Sequence, residues 1–345
     1  MMIMMNSRTK EVYVTRVIPQ LSILSRMANE RGFKMIVHTK PRPPNADEIL
    51  ENIAGKDAIL CTVSDKIDAN VIDAAGPNLK AICSYSSGYD HIDIEAATSR
   101  GIYVTYVADI PAEATADLTF GLILSCARNI TSGDRYVKKK NWKIGWSPNL
   151  MLGHNVYRTT LGIVGLGRIG SAVAKRAKGF NMQILYNDHN RKYKEESELG
   201  VKFVGLDTLL AESDFVIVCA SMNSTSRNLI DKSKLKIMKK TAYLINTARG
   251  HIVNEADLAI ALARNQIAGA GLDVFENEPV PRTHSLLKMN NVITLPHIGC
   301  ATYETRYEMA EAAISCLLDV LDGRAPPPAF TVNPQVEYYT PYLCR

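Results

Sequence analysis

The sequence predicts an α/β protein with two doubly wound parallel-sheet domains. Short apolar runs of strand type alternate with helical segments along the chain. Strands joined by helical crossovers form parallel sheets with right-handed connections. The chain has 345 residues, enough for two domains that each bury a core.

The first third of the chain is predicted to form one sheet. Helical segments, including residues 20–31 and 46–53, separate the predicted strands. The cluster of prolines at residues 41–44 indicates a rigid turn before a helix and not a domain linker. The predicted strands are residues 11–18, 34–39, 58–63, 80–85 and 102–107.

The second sheet is predicted from residue 160 onward. A long apolar helix over residues 112–128 precedes it, and its length suits a connection between domains. An irregular stretch, residues 141–158, follows that helix. The last helix is expected over residues 302–321, ending near Gly323. The predicted strands are residues 161–164, 183–186, 215–219, 242–246, 268–273 and 292–295.

A glycine motif lies at the start of this second sheet. A strand-like run ends in Gly165-x-Gly167-x-x-Gly170, and a helical pattern follows from Ile169 to about Lys178. The first glycine permits a tight turn, the second a close approach to a pyrophosphate, and the third close packing of helix and strand. The N–H groups at the helix start then face the phosphates. The motif predicts a Rossmann dinucleotide-binding domain.

Because this motif lies in mid-chain, we expect the dinucleotide-binding domain to be inserted into the other domain. The expected boundaries are residues 111–298 for the inserted domain. Residues 1–110 and 299–345 then form a flavodoxin-like substrate domain.

Asp188 bears on the choice of dinucleotide. It lies 18 residues beyond Gly170, where an acid accepts hydrogen bonds from the adenosine ribose and repels a 2′-phosphate. This favours NAD. Arg191 and Lys192 follow closely and suit the 2′-phosphate of NADP, and a turn aspartate is the plain alternative for Asp188.

Composition narrows the class of protein. The hydrophobic fraction is 46%, the charged fraction 22% and the formal net charge +5, and no apolar run is long enough for a membrane helix. The net charge favours an anionic cofactor and substrate, but its spread argues against nucleic acid. The densest basic stretch, residues 135–143, is interpreted as a solvated helix end.

Cysteine usage indicates the compartment. The seven cysteines form no C-x-x-C pair, and most lie in apolar runs. We interpret them as reduced, mostly buried thiols of a cytoplasmic protein. We expect no metal site. The methionines at residues 1–5 are too short a run for a signal peptide and leave the true start residue open.

Three charged residues stand at predicted strand ends, where ligands gather in open α/β sheets. They are Arg249 in the run INTARG, Glu278 in GLDVFENEP and His297 in LPHIG. A single residue of any of these types is more often a surface charge or a hydrogen-bonded loop residue.

At these positions the sequence resembles the D-isomer-specific 2-hydroxyacid dehydrogenases, and most of all the glyoxylate/hydroxypyruvate reductase branch. The resemblance covers nearly the whole chain. Besides the three motifs above and the glycine motif, it includes SGYDHID at residues 87–93 and ATAD at residues 114–117.

The resemblance implies catalytic roles. His297 is the acid/base that protonates the carbonyl oxygen, and Glu278 accepts a hydrogen bond from its other ring nitrogen. Arg249 pairs with the substrate carboxylate and polarises its carbonyl. Backbone N–H groups at Ser87 and Gly88 hold the carboxylate.

The resemblance also implies cofactor contacts and a partner. Asp273 binds the nicotinamide carboxamide and Thr115 contacts the cofactor, and the dinucleotide contacts extend to Arg168, Ile169 and Thr247. Trp146 matches a loop that packs across a homodimer and in some reductases reaches the partner's substrate pocket; plain interface packing is the alternative.

Three positions depart from the family pattern. Ser87, preceded by Ser86, replaces an apolar residue, and its hydroxyl bears on substrate preference. Ser221 replaces a proline in a loop that lines the cofactor site. Asn187 stands where NAD-using relatives often carry the ribose-binding acid, so that Asp188 comes one step later.

The sequence therefore predicts an NAD(P)-dependent reductase of a small 2-oxo acid, glyoxylate or hydroxypyruvate, with NAD slightly favoured over NADP. D-lactate or D-3-phosphoglycerate dehydrogenase is the alternative among enzymes. A formate-dehydrogenase-like function is disfavoured, because that branch pairs its histidine with an amide. The alternative outside enzymes is an NAD-sensing corepressor of the same family. The sequence does not determine which 2-oxo acid binds.

Overall fold

A computed structural model describes residues 8–339. The chain divides into two compact units. One is formed by the chain up to Pro111 together with the chain from Thr302 onward, and the other by Ala112–Ala301. Within residues 8–339, no helix is long and apolar enough to cross a membrane.

The first unit is built on a parallel sheet with strand order β2-β1-β3-β4-β5, the order of flavodoxin-like folds. The described strands are β1 (Lys10–Val14), β2 (Phe33–Val37), β3 (Ala58–Cys61), β4 (Ala81–Ser84) and β5 (Tyr103–Tyr106). The α-helices are α1 (Leu21–Glu30), α2 (Ala46–Ile53), α3 (Ala69–Ala75), α4 (Ile94–Ser99) and, after the second unit, α12 (Tyr303–Leu321). Strands β3 and β4 are buried throughout, as expected for a sheet covered on both faces.

The helices of the second unit begin with α5 (Ala112–Ala127). They continue with α6 (Ile130–Lys138), α7 (Arg168–Lys178), α8 (Tyr193–Leu199), α9 (Leu206–Glu212), α10 (Lys232–Ile237) and α11 (Glu255–Ala263). The described strands are β6 (Thr160–Val164), β7 (Gln183–Asn187), β8 (Lys202–Phe203), β9 (Phe215–Val218), β10 (Tyr243–Asn246), β11 (Gly269–Leu272) and β12 (Val292–Thr294).

The second sheet has the order β12-β11-β10-β9-β6-β7-β8. This is the Rossmann order 3-2-1-4-5-6 with one further parallel strand, β12. The strand order reverses between β6 and β9, which is where ligands bind in such sheets. Both parallel sheets confirm the fold class that the sequence predicts.

Several details differ from the sequence prediction, and β1 ends at Val14 rather than at residue 18. Helix α6 was expected only as a helix end; none of its residues is buried in the described structure. Strand β8 has two residues, which is too short for a pattern. Strand β7 extends to Asn187, one residue further than predicted, so Asp188 follows it directly.

The described cysteines are free thiols. Four of them, Cys61, Cys83, Cys126 and Cys316, are buried, whereas Cys219 and Cys300 are partly exposed. Cys344 and the methionines at residues 1–5 lie outside the described residues.

Asn333 ties the chain after α12 to β5. Its Oδ1 accepts the Val104 N–H at 2.7 Å, and its Nδ2 donates to the Ile102 carbonyl and the Thr98 hydroxyl, both at 2.9 Å. The side chain is fully buried. One amide group therefore satisfies buried backbone groups of the first unit that water cannot reach.

We expect Asn333→Ala to lower the free energy of unfolding of the first unit by about 2–4 kcal/mol, because it leaves the Val104 N–H and the Ile102 carbonyl buried without partners. Denaturant unfolding followed by fluorescence measures this. Gln335→Ala, an exposed residue in the same tail, is the matched control. Equal stability of the two variants would contradict the assignment.

Candidate active site

The glycine turn joins β6 to α7. Gly165 has φ +93°, and a Cβ added there would lie 2.7 Å from the Ala220 backbone. A Cβ on Gly170 would lie 2.3 Å from the Gly165 carbonyl oxygen, so the helix start has no room for a side chain. At Gly167 a Cβ would meet no atom within 4 Å. The first and last glycines are thus required by packing, and the middle one borders open space.

A cavity of about 220 Å³ lies beside this turn. It is formed by the ends of β6, β7 and β9, at the point where the strand order reverses, and its polar lining includes Ser221. The other lining residues are Val164, Gly165, Gly167, Asn187, Asp188, His189, Cys219, Ala220, Asn223, Thr225, Ser226 and Leu229. A cavity with hydroxyls and a carboxylate, next to glycine N–H groups, fits a dinucleotide.

Asp188 forms a hydrogen bond between two segments beside the cavity. Its Oδ2 accepts the Leu166 N–H at 2.9 Å, which links the end of β7 to the glycine turn. A carboxylate has two oxygens and several lone pairs, so this bond leaves acceptor capacity for a ribose hydroxyl. The sequence did not indicate the contact with Leu166.

The remaining predicted cofactor residues lie outside this lining. Arg168 is exposed at the first position of α7, and Ile169 is partly buried against the core. Thr115 and Thr247 are joined through Thr119, whose hydroxyl is 2.8 Å from both the Thr115 carbonyl and the Thr247 hydroxyl. Thr119 was not predicted, although it lies one helical turn after Thr115.

His297 and Glu278 form a hydrogen-bonded pair. His297 Nδ1 is 2.7 Å from Glu278 Oε2, and both side chains are about one-third exposed. Glu278 Oε1 accepts the Phe275 N–H at 3.0 Å. Burial acts to raise the pKa of Glu278, but the His297 bond and charge, with Arg249 and the Phe275 N–H, lower it overall. The pair therefore holds an ionised carboxylate against Nδ1 of the imidazole.

Asp273 shapes the backbone around His297. Its carboxylate accepts the Ile298 and Gly299 N–H groups at 2.8 and 2.7 Å, and its carbonyl accepts the His297 N–H at 2.9 Å. His297 has φ +54°, a left-handed conformation that costs energy in a non-glycine residue and is found at functional sites. Burial raises the pKa of Asp273, although these N–H bonds and His297 oppose the shift. Asp273 thus helps to hold a strained histidine.

Arg249 is held by the turn after β10. The Asn246 side chain donates to the Arg249 carbonyl at 2.9 Å and accepts the Ala248 N–H at 3.1 Å. A Cβ on Gly250 would lie 1.9 Å from the Phe275 carbonyl carbon, so only glycine fits there. The loop that carries Arg249 therefore lies directly on the loop that carries Glu278. Asn246 and Gly250 both lie in the quoted motif, but sequence reasoning gave them no role.

Ser87 and Gly88 follow β4 in the first unit. The Ser84 and Ser86 hydroxyls donate to the Gly88 carbonyl at 2.7 and 2.6 Å, and the Gly88 N–H donates to Ser86 Oγ at 3.1 Å. Ser87 is exposed. In this conformation, the Gly88 N–H that was expected to hold a carboxylate already has an acceptor within the loop.

Trp146 belongs to the second unit and is 84% exposed. It lies in the irregular stretch after α6, with other exposed apolar side chains. Within residues 8–339, no group of three or more His, Cys, Asp or Glu side chains is placed to hold a metal ion.

Comparison with known proteins places this geometry in a family. Residues 120–299 match the family model of the D-isomer specific 2-hydroxyacid dehydrogenase NAD binding domain. The glyoxylate reductase of Thermofilum pendens is 47% identical over 321 residues, which are 92% of this chain and 93% of that protein.

Two solved structures extend the comparison. The TT0316 protein of Thermus thermophilus has a TM-score of 0.87 at 42% identity, covering 93% of this chain and 99% of its own. An NADPH-dependent glyoxylate/hydroxypyruvate reductase from Sinorhizobium meliloti, in complex with NADP and malonate, has a TM-score of 0.80 at 28% identity, covering 94% and 98%. The resemblance seen in the sequence is confirmed: the chain belongs to the D-isomer specific 2-hydroxyacid dehydrogenase family and uses a nicotinamide cofactor.

Proposed function

We propose that the protein reduces a small 2-oxo acid, glyoxylate or hydroxypyruvate, to the 2-hydroxy acid, with the D-isomer formed where the product is chiral. The observation that carries this proposal is the His297–Glu278 pair, whose Nδ1 and Oε2 atoms are 2.7 Å apart, with Glu278 on a loop that packs against the turn of Arg249. An acid/base, its carboxylate partner and a guanidinium are the groups that this reduction needs.

The proposed chemistry follows from these side chains. The imidazolium of His297 donates its Nε2 proton to the carbonyl oxygen as that oxygen gains negative charge. Glu278 keeps Nδ1 occupied, so that Nε2 faces the substrate. The Arg249 guanidinium pairs with the carboxylate and draws electron density from the carbonyl. The reduced nicotinamide, when bound, supplies the hydride.

Three features support the small 2-oxo acid. The similar proteins named above include glyoxylate reductases, and the quoted motifs carry the full set of charged groups. The carboxylate partner of His297 argues against a formate-dehydrogenase-like function. D-lactate or D-3-phosphoglycerate oxidation, and a corepressor that only senses NAD, remain the competing functions that turnover assays separate.

We propose NAD as the preferred dinucleotide. Asp188 directly follows β7 and lines the cavity, where its negative charge repels a 2′-phosphate. Arg191, one of the two nearby cations that suit NADP, is held in a bidentate ion pair with Glu196 at 2.9 Å and lies over the Tyr193 ring. Engaging a 2′-phosphate would require Arg191 to give up this pair.

We propose that the second unit pairs with a second copy of the chain. Exposed apolar side chains are concentrated in α6 and in the stretch between α6 and β6, where their contact with water is unfavourable. They are Ile130 (53%), Val137 (52%), Trp142 (52%), Ile144 (75%), Trp146 (84%), Leu152 (72%) and Tyr157 (49%). A homodimer covers this surface, and Trp146 is the most exposed residue in it.

The free cysteines fit a reducing compartment, and we propose the cytoplasm.

The acid/base role predicts the effect of His297→Ala. With NADH and a panel of 2-oxo acids, kcat should fall by about 10²- to 10⁴-fold, because the carbonyl oxygen loses its proton donor. His154→Ala, an exposed histidine of the same unit, should leave kcat unchanged. Near wild-type turnover by His297→Ala would refute the role, and a wild type with no turnover of any acid would favour the corepressor.

Asp188→Asn tests the dinucleotide preference. It keeps an acceptor for the Leu166 N–H but removes the negative charge, so the ratio of kcat/KM for NADPH to that for NADH should rise by roughly tenfold, or about 1.4 kcal/mol. Asp207→Asn, an exposed acid of the same unit, is the control. A wild type that prefers NADPH would sink the proposal.

Trp146→Ser tests the homodimer. Analytical ultracentrifugation should show a dimer for the wild type. In the variant the Kd for dimer dissociation should rise by about 10- to 100-fold, because a tryptophan that becomes buried in an interface is a typical anchor residue. Tyr303→Ser, which changes an aromatic residue 94% exposed in the first unit, should not alter it. A monomeric wild type contradicts the proposal. Altered substrate selectivity would add a role for Trp146 in the partner's site.

A further inference from the structure

A second carboxylate–imidazole pair, formed by Glu255 and His284, lies beside the loop that carries Glu278. Glu255, at the first position of α11, is 7% exposed, and its Oε2 is 3.0 Å from His284 Nε2. A buried carboxylate is costly unless other groups satisfy it. Neither residue has a role in the proposed chemistry.

Glu255 grips the loop that carries Glu278. Its Oε1 accepts the Glu276 N–H at 2.7 Å, while Glu276 Oε1 accepts the Glu255 N–H at 3.0 Å. Each residue thus binds the backbone of the other. The adjacent Phe275 N–H donates to Glu278 Oε1. The Glu255 carboxylate therefore fixes the Phe275–Glu276 peptide. The adjacent peptide, through the Phe275 N–H, orients Glu278.

The same peptide is fixed from a second side. The bond between Phe275 and Glu276 lies so close to Gly250 that no Cβ fits between them. Arg249 precedes Gly250, and His297 bonds Glu278. A shift of the Phe275–Glu276 peptide would therefore displace Glu278 and Arg249 together.

Burial dominates the electrostatics of Glu255. It raises the pKa of the carboxyl, and the Glu276 charge adds to the rise; the Glu276 N–H and the His284 and His251 imidazoles act to lower the pKa without reversing its direction. The charged groups around Glu278 are His297, Arg249 and Asp273. His284 contacts Glu255 directly and so offsets part of the cost of burying a carboxylate there.

We propose that Glu255 and His284 are positioning residues for the reduction: by holding the Phe275–Glu276 peptide, they set the Glu278–His297 hydrogen bond and the placement of Arg249. This inference rests on the proposed function for its kinetic consequences. Its structural content, a loop fixed by Glu255, is independent of turnover.

Glu255→Gln tests the inference. The amide keeps the shape but replaces an acceptor oxygen with an NH₂ group, so either the Glu276 N–H or His284 loses its acceptor. We expect kcat to fall by about 10- to 100-fold through misplacement of the catalytic groups, with KM for the dinucleotide unchanged. Asp257→Asn is the matched control: it lies in the same first turn, but its carboxylate binds the Lys232 N–H of α10.

The split between kcat and KM separates positioning from general stability. Loss of folded protein lowers the apparent kcat but leaves KM unchanged, whereas displacement of Arg249 in Glu255→Gln should raise KM for the 2-oxo acid by about tenfold. Asp257→Asn should keep the wild-type KM. His284→Ala, a less buried change, should raise the same KM if Glu255→Gln fails to fold.

One measurement decides the inference without turnover. Hydrogen–deuterium exchange of the peptide spanning residues 275–278 should be faster in Glu255→Gln than in Asp257→Asn. A folded Glu255→Gln protein with wild-type exchange, kcat and KM overturns the inference. If the wild type reduces no 2-oxo acid, the proposed function fails, and the exchange measurement still decides the positioning role.

Discussion

The close contact between Gly250 and the Phe275–Glu276 peptide is the constraint on which the arrangement of the candidate site in the second unit depends. Parallel strands β10 and β11 end at the same edge of the sheet, so the loops that follow them meet there. Only a glycine lets them touch backbone to backbone. Arg249 and Glu278 are consequently placed by one packing contact rather than by two separate loops.

Backbone N–H groups bind four acidic side chains of the candidate site and its surroundings. Glu278, Asp273, Asp188 and Glu255 each accept a main-chain hydrogen bond from a loop at the carboxyl ends of the strands. Such bonds are strong because the acceptor is charged, and they hold loops that have little apolar area to bury. These acidic side chains therefore stabilise the loops around the candidate site in addition to any chemical role.

The sequence predicted both sheets because their strands are short apolar runs bounded by helical segments. Its glycine motif marked the point where the strand order of the second sheet reverses. It missed α6 and β8, which lack a buried face or sufficient length. Arg249, Glu278 and His297 could be identified because each follows a predicted strand, where ligands bind in such sheets, and lies within a motif that carries the family resemblance. The roles of Asn246, Glu255 and Thr119 were missed because they contact groups far away in the chain or a backbone atom, which no local pattern records.

The bond from the Leu166 N–H to Asp188 gives the dinucleotide site a further property. The same carboxylate that lines the cavity also holds the turn in which the glycines lie. The charge of the side chain and its bond to the turn are therefore separable. Asp188→Asn removes the charge but keeps an acceptor for the Leu166 N–H, whereas Asp188→Ala removes both and leaves the turn without this bond.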